Sequence, residues 1–157
     1  MRAAVPSDHD ALWAILEPVI RAGETWALPR DMRRDEALAY WHDGKQVVVA
    51  EIEGRVVGTY FIRPNQMGGG SHVANGGYMT AAEAQGRGVA RAMVADSLVR
   101  ARVQGFRAMQ FNFVVSSNER AVKTWQAAGF EIAARLPGAF DHATLGFVDV
   151  YVMYRTL

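Results

Sequence analysis

From Asp8 onward, apolar residues recur at Leu12, Ile15, Leu16 and Val19. Spacings of three and four put them on one stripe of an amphipathic helix. Ser7-Asp8 supplies the N-cap pair. Pro18 lacks an N–H and crowds the turn before it, so the last turn should be irregular or end early. A short strand, Arg2 to Val5, should precede this helix. A second helix should span Asp31 to Trp41 and stop at Asp43-Gly44. The pattern then shifts to runs rich in Val, Ile, Tyr and Phe. Gln46 to Ile52 and Arg55 to Ile62 read as strands, with Glu53-Gly54 as a two-residue hairpin turn. Pro64 to Ser71 (PNQMGGGS) is turn chemistry. Val73 to Thr80 reads as a strand with Gly76-Gly77 in its middle.

Helical spacing returns over Gly88 to Gln104, where Ala90, Met93, Val94, Ser97, Leu98 and Ala101 share a stripe that Gly105 closes. Arg107 to Val115 is a strand. Ser116 and Glu119 have the spacing of a capping box for a helix reaching Ala128 and ended by Gly129. Phe130 to Leu136 and Phe147 to Tyr154 are the last strands. The order β, α, α, β, β, β, α, β, α, β, β combines hairpins with a βαβ unit. It predicts an α/β fold of the α+β type, with helices on both faces of a mixed sheet. No repeat or low-complexity tract divides the chain, so 1–157 reads as a single domain.

Composition narrows the chemistry. With no cysteine, disulfides, thiolate zinc sites and a cysteine nucleophile are excluded. Such a chain suits a reducing compartment, and the N-terminus MRAAVPSDHD has no apolar signal region. A cytoplasmic location is therefore expected. No apolar run approaches the length of a membrane span. A net charge of +1 lacks the dominant basic face of a nucleic-acid binder. Arg87, Arg91, Arg100, Arg102 and Arg107 do cluster locally. They form either a solvated helix face or an attraction for a phosphorylated small molecule.

The informative stretch is a strand, then Gln85-Gly86-Arg87-Gly88-Val89-Ala90, then a helix. N–H groups at a helix start have no internal partners, and the helix dipole makes that end positive. Glycines clear the approach of an anion to those donors. The segment is either a pyrophosphate cradle or an ordinary glycine-containing turn. A P-loop would need Lys-Ser/Thr after Gly88, and a dinucleotide fingerprint would need Gly or Ala at Arg91.

Gln85-x-x-Gly88-x-Ala90 resembles the Q/R-x-x-G-x-G/A signature of the GNAT superfamily. Downstream, Asn118-x-x-Ala121 and Trp125-x-x-x-Gly129-Phe130 resemble the second motif of that family, one helix and one strand away. The resemblance covers the whole chain in element order and is strongest over Tyr78 to Phe130. It implies a mostly antiparallel sheet of six to seven strands with about four helices. It also implies transfer of acetyl from acetyl-CoA to an amine by direct attack on the thioester, without a metal. Backbone groups of Tyr78, Met79, Thr80 and Ala81 would pair with pantetheine and the acetyl carbonyl. Gly86, Arg87, Gly88, Val89, Ala90 and Arg91, after Gln85, would hold the pyrophosphate, and Asn118 would bond the cofactor. The family usually has Tyr, a proton donor to the leaving thiolate, where this chain has Trp125. An indole N–H donates a hydrogen bond but does not surrender its proton at neutral pH. Tyr78, Tyr151 or a water could serve instead, or no acid is needed. Trp125 is equally readable as a core residue.

Asn75 and Asn112 interrupt apolar strands, where asparagine is disfavoured. Either they mark a bulge or edge, or they face each other across a cleft and bind substrate. His72 to Tyr78 and the Phe-Asn-x-Val pattern are similar to yeast acetyltransferases of proline analogues such as azetidine-2-carboxylate. That similarity implies a small amine acceptor, an amino acid or analogue. Glu24, between the first two helices, and Asp149, an acid in an apolar strand, are the candidate bases; Asp149 reads either as a base whose pKa burial would raise or, the favoured alternative, as a satisfied hydrogen-bonded residue. His142 is a candidate for the substrate mouth. The histidines show no metal-ligand spacing. A small-molecule N-acetyltransferase, with no nucleic-acid or membrane partner, is the leading reading, and a homodimer is left open. The alternatives are a protein or aminoacyl-tRNA acetyltransferase and a non-catalytic acetyl-CoA-binding module.

Overall fold

The computed structural model describes residues 1–157. The strands are β1 (Arg2–Ala3), β2 (Gln46–Ile52), β3 (Arg55–Pro64), β4 (Val73–Thr80), β5 (Ala108–Val115), β6 (Glu131–His142) and β7 (Gly146–Thr156). The helices are α1 (His9–Ala22), α2 (Arg34–His42), α3 (Val89–Val103) and α4 (Glu119–Ala127). One seven-stranded sheet runs β1-β2-β3-β4-β5-β7-β6. Only β4 and β5 pair in parallel, so the sheet is mixed and mostly antiparallel, as expected. No helix is long and apolar enough to cross a membrane.

Successive residues of β3 face opposite sides of the sheet. Thr59 accepts a hydrogen bond from the Trp41 indole of α2, and Phe61 packs edge-on to the same ring. Gly58 lies against Met93 of α3, and the Tyr60 hydroxyl donates to Asp96 of α3. Thus α1 and α2 cover one face while α3 and α4 cover the other. The core runs through both layers, with Leu12, Leu16, Trp41, Val48, Ile62, Met93, Met109 and Met153 all sealed from solvent.

Several local expectations change. α1 runs through Pro18 to Ala22 and ends at Gly23, φ 63°. Leu16 and Ile20, buried on either side of the proline, hold it in place, and Ile20 rather than Val19 completes the buried stripe. Asp8 does not cap α1. Its carboxylate accepts from the Val5 N–H and binds Arg2. α2 begins at Arg34, not Asp31, because Glu36 reaches back to the Arg33 N–H at 2.9 Å and fixes the start there. Ser116 does not open α4. Asn118 does, its Oδ1 accepting from the Ala121 N–H at 3.2 Å.

Candidate active site

β4 and β5 pair only at Val73–Ala108, Ala74–Met109 and Asn75–Gln110, and then separate. Residues two apart in a strand turn their N–H and C=O to the same side. The Val73 carbonyl bonds the Asn65 N–H, on the β3 side, and the His72 carbonyl bonds the Arg107 N–H, on the β5 side. Gly76, Tyr78 and Thr80 therefore aim their backbone groups into the gap that β5 has left. That gap is the centre of a cleft of about 840 Å³.

At one end of the cleft lies the start of α3. Gly88 is its N-cap, at φ 79° and with no side chain to cap the helix. The N–H groups of Gly86, Gly88, Val89, Ala90 and Arg91 find no acceptor in the protein. Five free donors, with the positive end of the helix dipole, make an anion cradle. A Cβ on Gly88 would meet no atom within 4 Å. Its glycine is needed for the positive φ and for open approach, not for packing. Arg120 of α4 reaches across to Gln85, 3.1 Å away, and Arg91 and Lys123 also line this end. Arg87 is exposed and outside the lining.

α4 forms one wall. Asn118 spends its carbonyl on the helix cap and keeps its amide N–H groups free at the cleft. Trp125 is buried, 5.0 Å from Tyr78 and 5.2 Å from Phe111 between ring centroids. It is both core and cleft wall, and no protein group accepts from its indole N–H.

The other end lies on the α1–α2 face. Asn75 and Asn112 both line it, joined through Gln110 rather than to each other. Asn75 donates to the Gln110 carbonyl at 2.9 Å, and the Gln110 side chain donates to Asn112 at 2.8 Å. Asn112 in turn donates to Asn65 at 2.7 Å, while Arg63 donates to Asn75 at 3.4 Å. Asn112 falls where β5–β7 pairing shifts register, so it does mark a bulge. Asn75 sits at neither bulge nor edge but at the last residue pair before β4 and β5 part. The sequence reading missed Trp26, Phe61 and Arg63, which line the same end. The signal that could have found them is Gly77. A side chain there would strike Trp26 and Phe61, so a glycine in mid-strand marks their approach.

Other candidates lie elsewhere. Glu24 is exposed and outside the lining, where the αL turn at Gly23 directs it to solvent. Asp149 also lies outside it, held by Arg135 and by the Gly138 N–H at 2.9 Å. Those partners lower its pKa, the Gly138 bond foremost, against the expected rise. His142 is buried at the end of β6, accepting from the Thr144 N–H. The Tyr78 hydroxyl lies against Ser97 of α3 at 2.7 Å. Because Ser97 donates to the Val94 carbonyl, Tyr78 is the donor of the pair. Burial raises the Tyr78 pKa, outweighing the opposite effect of the Ser97 hydrogen bond, which makes it a poor proton source. The cleft lining holds no Asp, Glu or His.

Comparison with known proteins bears on this cleft. The sequence profile of the Acetyltransferase (GNAT) family matches residues 12–130. The chain is similar to a GCN5-related N-acetyltransferase from Kribbella flavida, with 38% identity, a TM-score of 0.94, and 99% and 96% of the two chains covered. It is 26% identical to the N-acetyltransferase aca1 of Schizosaccharomyces pombe, over 85% of this chain and 72% of that one. The fold also matches yncA, a putative acetyltransferase from Salmonella typhimurium solved with acetyl-CoA, at 22% identity and a TM-score of 0.86, covering 99% and 92% of the two chains. With β4 and β5 split, and the α3 cradle and the α4 wall at the positions of the two sequence motifs, the chain belongs to the GNAT acetyltransferase family.

Proposed function

We propose that the chain transfers acetyl from acetyl-CoA to a primary or secondary amine of a small molecule. The observation that carries this is one continuous cleft with chemically different ends. The α3 cradle offers free N–H donors and cations for a pyrophosphate. The inward backbone groups of Gly76, Tyr78 and Thr80 suit the amides of a pantetheine arm, as an added strand would pair. The asparagine end, floored by Trp26 and Phe61, has room for an acceptor.

When bound, acetyl-CoA would supply an activated thioester carbonyl. The residues of this chain orient it. Gly86 to Arg91 would hold the phosphates, and Asn118 has free amide donors for the arm. No lining side chain is a carboxylate or imidazole base, so the acceptor must lose its proton to water or arrive neutral. The positive charge of Arg63 favours that loss, since a nearby cation disfavours an ammonium. A leaving thiol of pKa about 8.5 can depart near neutral pH without a strong acid. Catalysis then rests chiefly on holding amine and carbonyl in line.

The test is release of free CoA across a broad panel of amines, peptides and aminoacyl-tRNA. Acetylation of small amines is expected. Turnover of peptides or tRNA alone would replace this reading. Tight acetyl-CoA binding with no acceptor at all would make the chain a binding module.

A further inference from the structure

Resting on the acetyl-transfer reading above, we propose that the acceptor is a monoamine with an aromatic or similarly broad apolar body. The first observation is the charge of the acceptor end. Four cations and no acid line the cleft. Arg91 belongs to α3, and Arg120 and Lys123 to α4, so these three serve the phosphate end. Arg63 is then the one charged side chain at the acceptor end, and it donates to the neutral amide of Asn75. Behind the rings the field is positive as well. Lys45, outside the lining, sets its Nζ 3.8 Å from the Tyr40 ring centroid and 4.8 Å from that of Phe61. An amine must shed one proton before it attacks. A monoamine is then neutral, but a diamine or polyamine keeps a second ammonium, and this end has no carboxylate to receive it.

The second observation is what this end offers a ligand instead, which is apolar surface. Trp26 and Leu28 come from the connection between α1 and α2, Tyr40 from α2 and Phe113 from β5. None of them is sealed in the core. Trp26 and Leu28 are half-buried, Tyr40 is 36% exposed and Phe113 is 41% exposed. One exposed apolar side chain needs no explanation. Four of them, from three segments, turned to one hollow beside the polar amides of Asn75 and Asn112, have the make-up of a ligand site. The position of Phe113 follows from its neighbours. It comes after Asn112 at the β5 bulge and packs edge-on to Phe140 of β6. The turn after β6 is tied to the end of α1, the Ala143 N–H donating to the Gly23 carbonyl. Phe113 therefore looks to the α1–α2 side, across the β4–β5 gap from Trp26. A flat ring or branched chain between them would bury what is now wet, and the asparagine amides would meet the amine.

The test titrates acetylated amines, as product ligands, into the protein saturated with CoA and follows binding by calorimetry. N-phenethylacetamide should bind at least about tenfold tighter than N-methylacetamide, the worth of burying one ring. N-butylacetamide should bind at least about tenfold tighter than N-acetylputrescine, which has the same chain length and a terminal ammonium. N-acetylglycine, a carboxylate with no apolar body, should bind more weakly than N-phenethylacetamide. Phe113→Ser should cut the ring preference several-fold while acetyl-CoA affinity and melting temperature hold. Trp26→Leu should cut it further, and Phe113→Ser carries the test should Trp26→Leu not fold. A ring preference that is absent, or untouched in Phe113→Ser, would overturn the proposal. So would N-acetylputrescine binding as tightly as N-butylacetamide, or N-acetylglycine as tightly as N-phenethylacetamide. Turnover separates this proposal from the acetyl-transfer reading. Acetylation of putrescine or glycine at kcat/KM equal to that of phenethylamine would sink the proposal and leave transfer standing. Selective product binding with no turnover of any amine would sink transfer and leave the ligand class standing.

Discussion

Gly77 lies directly beneath the indole of Trp26, so closely that a Cβ on Gly77 would stand 2.5 Å from that ring. The same Cβ would also lie 2.7 Å from the Phe61 ring. The backbone of β4 and the aromatic floor of the acceptor end therefore share one space. Gly77→Ala must push Trp26 aside. Overpacking of this kind costs about 1–3 kcal/mol. The melting temperature should fall, and kcat/KM for the acceptor should fall with it. Acetyl-CoA affinity should change little, since the cradle lies on α3. Equal loss of affinity for both substrates would mean that the two ends of the cleft are not separable.

Gly88 is the opposite case, a glycine kept for conformation and access rather than for packing. At φ 79° any other residue is strained by about 1–2 kcal/mol, and both Gly88→Ala and Gly88→Glu carry that cost. Only Glu adds a negative charge where phosphates would sit. Gly88→Ala should keep most acetyl-CoA affinity and Gly88→Glu should lose it, at similar melting temperatures. Calorimetry on the two variants separates strain from electrostatics. Unchanged affinity in folded Gly88→Glu would remove the cradle assignment.

The contrast between these glycines shows what the sequence could reveal. Gly88 announced itself because its neighbours Gln85 and Ala90 are close in the chain, and a helix start needs only local information. The order of strands and helices was readable for the same reason. The acceptor end was not, because Trp26, Phe61, Arg63 and Gly77 converge from three separate segments. The candidate base Asp149 read either as an acid with a raised pKa or as a satisfied, hydrogen-bonded residue, and only the fold decides between them, because its partners are the Gly138 N–H on β6 and Arg135. Pro18 carried a real local penalty that tertiary burial of Leu16 and Ile20 outweighed.

The Asp8–Arg2 pair ties β1 to the start of α1. Arg2 binds both carboxylate oxygens, at 2.7 and 2.8 Å, and also reaches Glu51. The Arg2 bonds, then the Val5 N–H, hold the Asp8 pKa down at about 2, against 3.8 ordinarily. A carboxylate with a depressed native pKa binds protons more readily when unfolded. Its contribution is thus full above pH 3.8 and drains away as pH falls towards 2. Arg2 is 39% exposed, so solvent screening discounts the worth of the pair. Asp8→Asn should lower neutral-pH stability modestly and flatten the acid limb of a stability-against-pH curve between about 4 and 2. An unaltered acid limb would mean that Asp8 is not specially stabilised.

Trp125 occupies the position where the family usually has its proton donor, and the structure gives it two roles at once. It packs against Phe111 and Tyr78, yet its indole N–H has no partner and it lines the cleft. If departure of the thiolate needs no acid, Trp125→Phe keeps the aromatic filler and should retain most activity. Trp125→Tyr should then bring no large gain. General acid catalysis is typically worth about a hundredfold or more where it limits the rate. A gain of that size in the Tyr variant would show that the native enzyme lacks a needed acid. A loss of that size in the Phe variant would instead assign the indole N–H a hydrogen bond formed during the reaction. Melting temperatures within a few degrees of wild type are required for either reading, because a ring this buried also supports the Phe111–Phe130 stack, 4.2 Å between centroids. Tyr78 does not stand in for the missing donor. Its proton is committed to Ser97 and its pKa is raised by burial, so Tyr78→Phe should slow the reaction only as far as it loosens the core.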